Sequence, residues 1–382
     1  MTIYFVAGEV SGDEHGASLM GALRELTPDL EFTGRGGPKM QAIAGKNLLN
    51  WIDSAAVVGL WEVVKRYGYF REQFQAALRE IANINPDAVV LIDYPGFNLR
   101  LARTLRKKSR ALKIIYYISP QVWAWNRGRI RQMARFLDLM LCIFPFEAEL
   151  YNQSGLRTVF VGHPMIEKYS ARRIQEPRQR TLVGLFPGSR LREVRKIFPT
   201  MLEAASNLVT KQSEINFEAA AASESLASEI RSLLDVTPLR NRIRIVVGDA
   251  VGTMQRAFVG IVASGTATLE AAFFRLPFVL VYKVSSPTYF AARLVLKTKY
   301  LGMPNVLAGR EIVPEFLQDG AQADLIAEAV LKLIKDEGVR GRMISEFDGV
   351  VAKLGEPGAS AKAARIIAEE LTQHEAVTER TR

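Results

Sequence analysis

The chain has 382 residues, of which 24% are charged and 48% hydrophobic, with one cysteine and three histidines. This composition is typical of a chain that buries a sizeable core. At about 100–200 residues per domain, the length predicts two domains. It excludes disordered and collagen-like chains. One cysteine excludes an internal disulfide, and so few cysteines and histidines argue against a zinc site of the usual kind.

The sequence contains no apolar stretch of the ~18 residues that a membrane-spanning helix needs. Its first residues, MTIYFVAGE, lead directly into a predicted strand, without the basic region and cleavage site of a secretory signal. We therefore expect a cytoplasmic protein.

The formal net charge of +10 is concentrated in one part of the chain. Residues 61–135 hold fifteen lysines and arginines against five acids, and the rest of the chain is balanced. Such a basic window predicts an anionic partner, which could be a nucleic acid, a phosphorylated substrate or an acidic membrane surface; solvated helix faces are the alternative. Since it lacks an interleaved aromatic platform and any groove-reading motif, no nucleic-acid partner is predicted.

Short apolar runs alternate with stretches of helical period, which predicts parallel sheets with crossover helices. A polar segment, EKYSARRIQEPRQR, is predicted to link two such units near residue 170. The expected domains are 1–170 and 171–356, and a helix at about 357–382 could pack back on the first. The predicted strands are, in chain order, Ile3–Ala7, Glu31–Thr33, Ala88–Asp93, Lys113–Ile118, Leu137–Ile143, Thr158–Val161, Leu182–Phe186, Asn216–Ala221, Ile243–Val247, Val259–Ala263 and Phe278–Tyr282.

The loops that follow these strands are where ligands of open α/β sheets bind. After the first strand, AGEVSGDEHGA lacks the G-x-G-x-x-G spacing of a dinucleotide site, which argues against a nicotinamide enzyme. The loop does offer polar side chains at a helix start, although plain capping by Ser11 or Asp13 is an equal alternative. These side chains include Glu9, Asp13, Glu14 and His15.

Asp93 follows five apolar residues and precedes a Pro-Gly turn in VVLIDYPGFN. A carboxylate at the end of a buried strand is partly desolvated, so its pKa can be adjusted for proton transfer. A turn or cap carboxylate is the alternative.

Two loops of the second unit resemble phosphate cradles. In LFPGSRLREV a strand and a Pro-Gly-Ser turn precede Arg190, and in VASGTATLEAAFF Ser264, Thr266 and Thr268 stand at a helix start. Backbone N–H groups, a helix dipole and a guanidinium suit a diphosphate. Glu270 lies one turn further, where it could accept hydrogen bonds from ribose hydroxyls.

The motifs resemble, in order, those of the lipid-A-disaccharide synthases. The resemblance covers about residues 3–320, and the motifs are AGEVSGDEHGA, GGPKM, DYPGFN, SPQVWAWN, FPFE, VGHP, FPGSR, ASGTATLE and PNVLAGRE. It implies an α/β fold of the GT-B type, with two Rossmann-like parallel-sheet domains facing across a cleft. It also implies an inverting hexosyltransferase of lipid A (lipopolysaccharide) biosynthesis, which condenses UDP-2,3-diacylglucosamine with 2,3-diacylglucosamine 1-phosphate to form the β(1→6) disaccharide and UDP.

The resemblance also implies roles for particular residues. Asp93 would be the catalytic base, although His15 is a second candidate. Glu9, Ser11 and Asp13 would line the acceptor side. The predicted UDP-binding residues are Arg190, Ser264, Thr266, Glu270 and Asn305. No metal or other cofactor is expected, since the sequence has no Asp-x-Asp motif.

Two other readings remain open from sequence. One is another GT-B UDP-sugar enzyme, either an undecaprenyl-lipid glycosyltransferase or a UDP-sugar epimerase. The other is nucleic-acid binding through the basic window, which the missing aromatic platform and groove-reading motif disfavour. The oligomeric state is also open, with a homodimer as one form.

Because both implied substrates carry acyl chains, we expect peripheral binding to the anionic cytoplasmic face of the inner membrane. The segment AVVGLWEVVKRYGYFREQF combines apolar and basic side chains within the basic window. An ordinary amphipathic core helix is the alternative. The residues predicted to contact membrane or acyl chains are Val58, Trp61, Lys65, Arg66, Phe70 and Arg71.

Overall fold

The protein is described by a computed structural model that covers residues 1–52, 67–124, 128–173, 176–284 and 298–380. It divides into two compact units. Unit 1 comprises Met1–Lys168 and Leu354–Arg382, and unit 2 comprises Tyr169–Lys353. The division falls at Lys168, close to the boundary near residue 170 that the sequence predicts.

Unit 1 is built on a parallel sheet whose described strands have the order β3-β2-β1-β4-β5-β6-β7. All five residues of β4, AVVLI, are buried, as expected for a strand that helices cover on both faces. The strands are β1 (Thr2–Ala7), β2 (Glu31–Gly36), β3 (Leu48–Asn50), β4 (Ala88–Ile92), β5 (Lys113–Tyr117), β6 (Leu139–Cys142) and β7 (Thr158–Phe160).

Helices connect these strands from the carboxyl end of one to the amino end of the next. In the described part of unit 1 they are α1 (Val10–Leu26), α2 (Pro38–Ala44), α3 (Tyr67–Ile84), α4 (Pro95–Lys108), α5 (Gly128–Met133) and α6 (Pro145–Asn152). Helix α7 (Pro164–Ser170) contains the boundary between the units.

The C-terminal helix, labelled α15 (Ala359–Arg380), belongs to unit 1. Its buried side chains Ala363, Ala364, Ile367 and Leu371 lie in the same apolar cluster as Leu19 and Leu23 of α1 and the strands of the sheet. The last helix therefore completes the core of the first unit.

Unit 2 has its own parallel sheet, with the described strand order β10-β9-β8-β11-β12-β13. The strands are β8 (Gln179–Phe186), β9 (Asn216–Ala221), β10 (Ile243–Val247), β11 (Ala257–Ala263), β12 (Phe278–Tyr282) and β13 (Glu315–Leu317). Its helices are α8 (Leu191–Lys211), α9 (Glu224–Leu234), α10 (Ala250–Arg256), α11 (Thr266–Phe273), α12 (Met303–Ala308), α13 (Ala323–Lys335) and α14 (Glu337–Ala352).

The segment predicted as a linker, EKYSARRIQEPRQR, contains the boundary between the units, but it is shorter than predicted. Helix α7 extends to Ser170 and β8 begins at Gln179, so both ends of this segment are regular structure. Arg178 is a structural anchor, since its guanidinium donates to the carbonyl oxygens of Met254 (2.6 Å) and Ala257 (2.6 Å). Burial lowers its pKa to about 10.

Within the described ranges, no helix combines the length and the apolar character of a membrane span.

Candidate active site

Each sheet reverses its strand order at one point, between β1 and β4 in unit 1 and between β8 and β11 in unit 2. In such sheets ligands bind beyond the carboxyl ends of the strands at the reversal. The loops there carry Glu9 and Asp93 in unit 1, and Arg190 and Ser264 in unit 2. The topology thus places the main sequence-predicted residues at the expected edge of each sheet.

Asp93 stands in an unusual backbone conformation. Its φ is 44° and that of Tyr94 is 50°, so two consecutive non-glycine residues occupy the left-handed region. Each such residue costs on the order of 1–3 kcal/mol, and surrounding contacts must hold it. The Asn98 side-chain amide donates to the carbonyl oxygen of Asp93 (2.8 Å), and the Asp93 N–H donates to the carbonyl oxygen of Tyr117 (3.0 Å).

The loop after β1 packs closely on the loop after β4. A Cβ on Gly8 would lie 2.3 Å from Cδ1 of Tyr94, so the ring of Tyr94 can rest there only because residue 8 is glycine. The Tyr94 ring also meets Trp51 edge-on, with centroids 6.2 Å apart. These contacts fix the turn that presents Asp93.

The surroundings of Asp93 favour its protonated form. Burial raises the pKa of its carboxyl to about 6, and the negative charge of Glu9 adds to the shift, while a backbone hydrogen bond from Tyr94 opposes it. A carboxylate with this pKa is ionised near neutral pH and yet accepts a proton more readily than an ordinary aspartate. Asp93 can therefore act as a general base.

His15, the rival base, lies on α1 next to Glu14. Burial lowers the pKa of His15 to about 4. The negative charge of Glu14 opposes this shift, and the positive charge of Lys168 adds to it. Glu14 accepts hydrogen bonds from Lys39 (2.5 Å) and Lys168 (2.9 Å). At neutral pH His15 is a neutral imidazole, but it is a weaker proton acceptor than Asp93.

Of the other residues in the first loop, Glu9 is the exposed N-cap of α1 and Ser11 is exposed in its first turn. Asp13 is different: it is 3% exposed, and its carboxylate accepts from the backbone N–H groups of Gly37 (2.9 Å), Lys39 (3.0 Å) and Met40 (3.0 Å). It caps the start of α2. Its carboxylate therefore has a structural role. The prediction that Asp13 lines the acceptor side stays a prediction.

The segment predicted to contact membrane lies mostly outside the described residues. Val58, Trp61, Lys65 and Arg66 are among those not described. Phe70 and Arg71 lie in the first turns of α3, where Phe70 is half-buried and Arg71 exposed. The buried guanidinium of Arg35 on β2 ties α3 to the sheet, since it forms an ion pair with Glu80 and a hydrogen bond to Gln73.

In unit 2 the turn after β8 exposes Arg190. Gly188 has φ 109°, and a Cβ there would lie 2.5 Å from Oε2 of Glu193, so this turn requires glycine. Arg190 is the N-cap of α8, and its side chain is 61% exposed, with a long contact of 3.4 Å to Glu193. Its guanidinium is free to turn towards an anion.

The loop after β11 leads into α11. The N-cap of this helix is Gly265, which has no side chain, so it cannot satisfy the N–H groups of the first turn. Ser264 is half-buried and Thr266 exposed, while the hydroxyl of buried Thr268 donates to the carbonyl oxygen of Gly265 (2.8 Å). Since the N-cap supplies no side-chain hydrogen bond among the residues that the structure describes, the first N–H groups of α11 and two hydroxyls suit phosphate oxygens.

Glu270 lies one turn into α11 and is half-buried. The hydroxyl of Tyr169 donates to its Oε1 (2.9 Å), and the Tyr169 ring packs on Phe273 and Phe274. Sequence reasoning missed Tyr169, because it lies 101 residues away in the segment taken as a linker. This contact fixes the carboxylate in the position predicted for a ribose contact.

Asn305, which was predicted to contact the nucleotide, has a structural role in unit 2, and its nucleotide contact stays a prediction. It is fully buried, and its amide nitrogen donates to Val313 O and Glu315 Oε1, both at 2.8 Å. Its amide oxygen accepts from the N–H groups of Ile312 (2.8 Å) and Val313 (2.9 Å). With every donor and acceptor committed, Asn305 holds the turn between α12 and β13.

As for metal ions, the described residues contain no group of three or more His, Cys, Asp or Glu side chains that could hold one.

Solved structures with this fold cover nearly the whole chain. The S. aureus MnaA–UDP co-structure has a TM-score of 0.64 at 14% identity and covers 97% of each chain. CalG4, the calicheamicin glycosyltransferase, has a TM-score of 0.58 at 16% identity, covering 97% of this chain and 98% of its own. These likenesses confirm the GT-B fold class that the motifs implied.

The sequence comparisons are more specific. A family model described as Lipid-A-disaccharide synthetase matches residues 3–363. The lipid-A-disaccharide synthase of Geobacter sulfurreducens is 38% identical over 97% of each chain. That of Myxococcus xanthus is 37% identical over 96% of this chain and 97% of its own. The chain therefore belongs to the lipid-A-disaccharide synthetase family of hexosyltransferases.

Proposed function

We propose that the protein transfers 2,3-diacylglucosamine from its UDP derivative to the 6-hydroxyl of 2,3-diacylglucosamine 1-phosphate, in lipid A biosynthesis. The products are the β(1→6) disaccharide 1-phosphate and UDP. The observation that carries the proposal is the carboxylate of Asp93, which stands at the reversal point of the first sheet with a pKa of about 6. Membership of the family supports the reaction class.

The reaction is a single displacement. The Asp93 carboxylate accepts the proton of the acceptor hydroxyl, whose oxygen forms a bond to the anomeric carbon of the donor while the bond from that carbon to the UDP oxygen breaks. One displacement inverts the configuration and requires no covalent enzyme intermediate. The weaker basicity of His15 supports Asp93 as the base.

Unit 2 holds the leaving UDP. Arg190 and the N-terminus of α11, with Ser264 and Thr266, stabilise the negative charge that develops on the diphosphate. Glu270, fixed by Tyr169, accepts hydrogen bonds from the ribose hydroxyls. The guanidinium and the helix N-terminus supply this charge stabilisation without a metal ion, so the transfer is metal-independent.

Both substrates carry acyl chains, so the enzyme must reach them at the surface of a bilayer. The protein binds peripherally to the anionic cytoplasmic face of the inner membrane, through the apolar and basic segment that leads into α3. The exposed side chain of Arg71 supports this part of the proposal.

The test is an assay of UDP release with the diacylglucosamine donor and acceptor in mixed micelles, with EDTA present. We expect release that needs both substrates and is unchanged by EDTA. Release without the acceptor, or conversion of the UDP-sugar to its epimer, would instead favour another UDP-sugar enzyme. A strict need for magnesium would contradict the metal-free site.

A further inference from the structure

Unit 1 has a second polar feature at the edge of the sheet away from Asp93. A surface cavity of about 630 Å³ is lined by Arg106, Lys107, Arg110 and Arg135. Arg106 and Lys107 lie in the last turn of α4, Arg110 lies in the turn before β5, and Arg135 follows α5. All four lining residues are cationic.

The cavity is remote from the reaction. Helix α4 starts at the carboxyl end of β4, beside Asp93, and ends at the amino end of β5. Strands β4 and β5 have five residues each, so the two edges are roughly 16 Å apart at about 3.3 Å per residue. The four side chains therefore cannot touch the atoms that react at Asp93.

The floor of the cavity is held by a hydrogen-bond network. The guanidinium of Arg106 is 17% exposed, forms an ion pair with Asp138 and donates to the carbonyl oxygen of Arg110 (2.7 Å). Asp138 also accepts from the backbone N–H of Ile114 (2.7 Å), and Ser109 Oγ accepts from the N–H of Leu112 (3.2 Å). The turn that carries Arg110 is thus fixed to the sheet.

Among the described residues, the other three cations of the cavity have no carboxylate partner like the Asp138 of Arg106. Within the ranges that the structure describes, Lys107, Arg110 and Arg135 form no ion pair, and Asp138 is already engaged by Arg106 and Ile114. Lysine and arginine in the last turn of a helix complement its dipole, which accounts for Lys107. This interaction with a helix dipole does not account for Arg110 and Arg135, because neither lies in a helix.

We propose that this cavity binds a phosphate group, as a second anion site independent of the transfer reaction. Guanidinium groups bind phosphate oxygens through paired N–H donors, and a concave cationic surface concentrates such an anion. The phosphate could belong to a soluble phosphate ester or to the headgroup of an anionic phospholipid. Arg110 and Arg135 bind the phosphate directly, and Arg106, held by Asp138, contributes a fixed positive charge.

The test compares two double variants of the full chain. Arg110→Ala/Arg135→Ala removes two exposed arginines of the cavity. Arg100→Ala/Arg365→Ala removes the same charge from exposed positions on α4 and α15 of the same unit, outside the cavity. Thermal unfolding checks that both variants fold, which we expect since all four side chains are exposed.

The first probe is inorganic pyrophosphate, titrated by calorimetry with UDP in excess so that the diphosphate site of unit 2 is filled. We expect binding that weakens about tenfold or more in the cavity variant, equivalent to one charge-assisted hydrogen bond, and stays near wild type in the control. That result identifies a soluble phosphate as a ligand.

The second probe is sedimentation with vesicles of phosphatidylglycerol, compared with phosphatidylcholine. Loss of binding to phosphatidylglycerol in the cavity variant alone, without pyrophosphate binding, identifies the lipid headgroup as the source of the phosphate. Equal effects of the two variants on both probes, or none from either, would overturn the proposal.

Discussion

At the scale of single residues, the site depends on side chains that the fold holds from a distance. Asp93 keeps its left-handed backbone because Asn98 and Tyr117 bind its peptide groups. Its end-of-strand position could be read from the apolar run before it, whereas the strain and the influence of Glu9 could not. The engagement of Asp13 and Asn305 was likewise hidden, since their partners become neighbours only on folding.

Replacement of Asp93 by asparagine should remove the base and keep the shape of the side chain. We expect kcat to fall roughly 10²-fold or more, the usual range for loss of a general base, with UDP affinity unchanged. Steady-state kinetics and calorimetry measure the two quantities. If His15→Ala abolishes turnover and Asp93→Asn does not, the roles of the two residues are reversed.

The pH dependence of turnover should report the same carboxyl. Since the pKa of Asp93 is about 6 and the base acts in its ionised form, kcat/KM should decline as pH falls through about 6 and level off above it. In Asp93→Asn the residual activity should lose this dependence. A wild-type profile flat down to pH 4 would argue against Asp93 as the titrating base.

The nucleotide contacts can be tested without turnover. Arg190→Ala should weaken UDP binding through lost charge-assisted bonds to the diphosphate, and Glu270→Ala through lost bonds to the ribose, each by about tenfold. Isothermal titration with UDP gives both values, and Arg180→Ala, an exposed arginine within β8, is a matched control. Unchanged affinity in both variants would remove the nucleotide from this edge of unit 2.

At the scale of elements, the central strands were predictable because strands buried on both faces are continuous apolar runs. Strands β3 and β13 were missed. Each has three residues, and β3 (LLN) buries only its first, while β13 (EFL) has no fully buried side chain. Short edge strands of this kind have no periodic signal, and only the neighbouring strand defines them.

The helix α3 and the segment before it should carry membrane binding. A polybasic surface contributes about 1 kcal/mol per lysine or arginine near an acidic bilayer. We expect Lys65→Glu/Arg66→Glu/Arg71→Glu to sediment less with phosphatidylglycerol vesicles than wild type does, and added salt to weaken the wild-type binding. Lys332→Glu/Lys335→Glu/Arg342→Glu on unit 2 is a control with the same charge change. Equal sedimentation of all three proteins would discard this docking surface.

At the scale of the whole molecule, two separate sheets and a returning C-terminal helix were foreseen from the alternation of elements and the strandless final helix. The sequence could not show which side chains α15 buries in unit 1, because α15 lies more than 300 positions from α1, the helix against which it packs. The outcome is that the stability of unit 1 depends on both ends of the chain, whereas unit 2 is continuous.

This dependence predicts that substitutions at buried positions of α15 destabilise unit 1 and that substitutions at its exposed positions do not. Ile367 is fully buried, so Ile367→Ala should destabilise unit 1 by about 2–5 kcal/mol through lost burial and the cavity left behind. Glu369→Ala, exposed on the same helix, should have little effect. Urea unfolding measures stability, and UDP binding by unit 2 should survive in the folded protein. Equal destabilisation by both substitutions would contradict this account of the packing.

The return of α15 also sets an order for synthesis on the ribosome. Nascent domains generally fold as units while the chain emerges, but the first unit lacks Ala363, Ala364, Ile367 and Leu371 until all of unit 2 has been synthesised. Unit 2 is the first whole domain to leave the exit tunnel, although it is encoded second. Until the last helix arrives, the first sheet exposes the apolar surface that α15 covers, and during that interval the nascent chain is most exposed to aggregation and to chaperones.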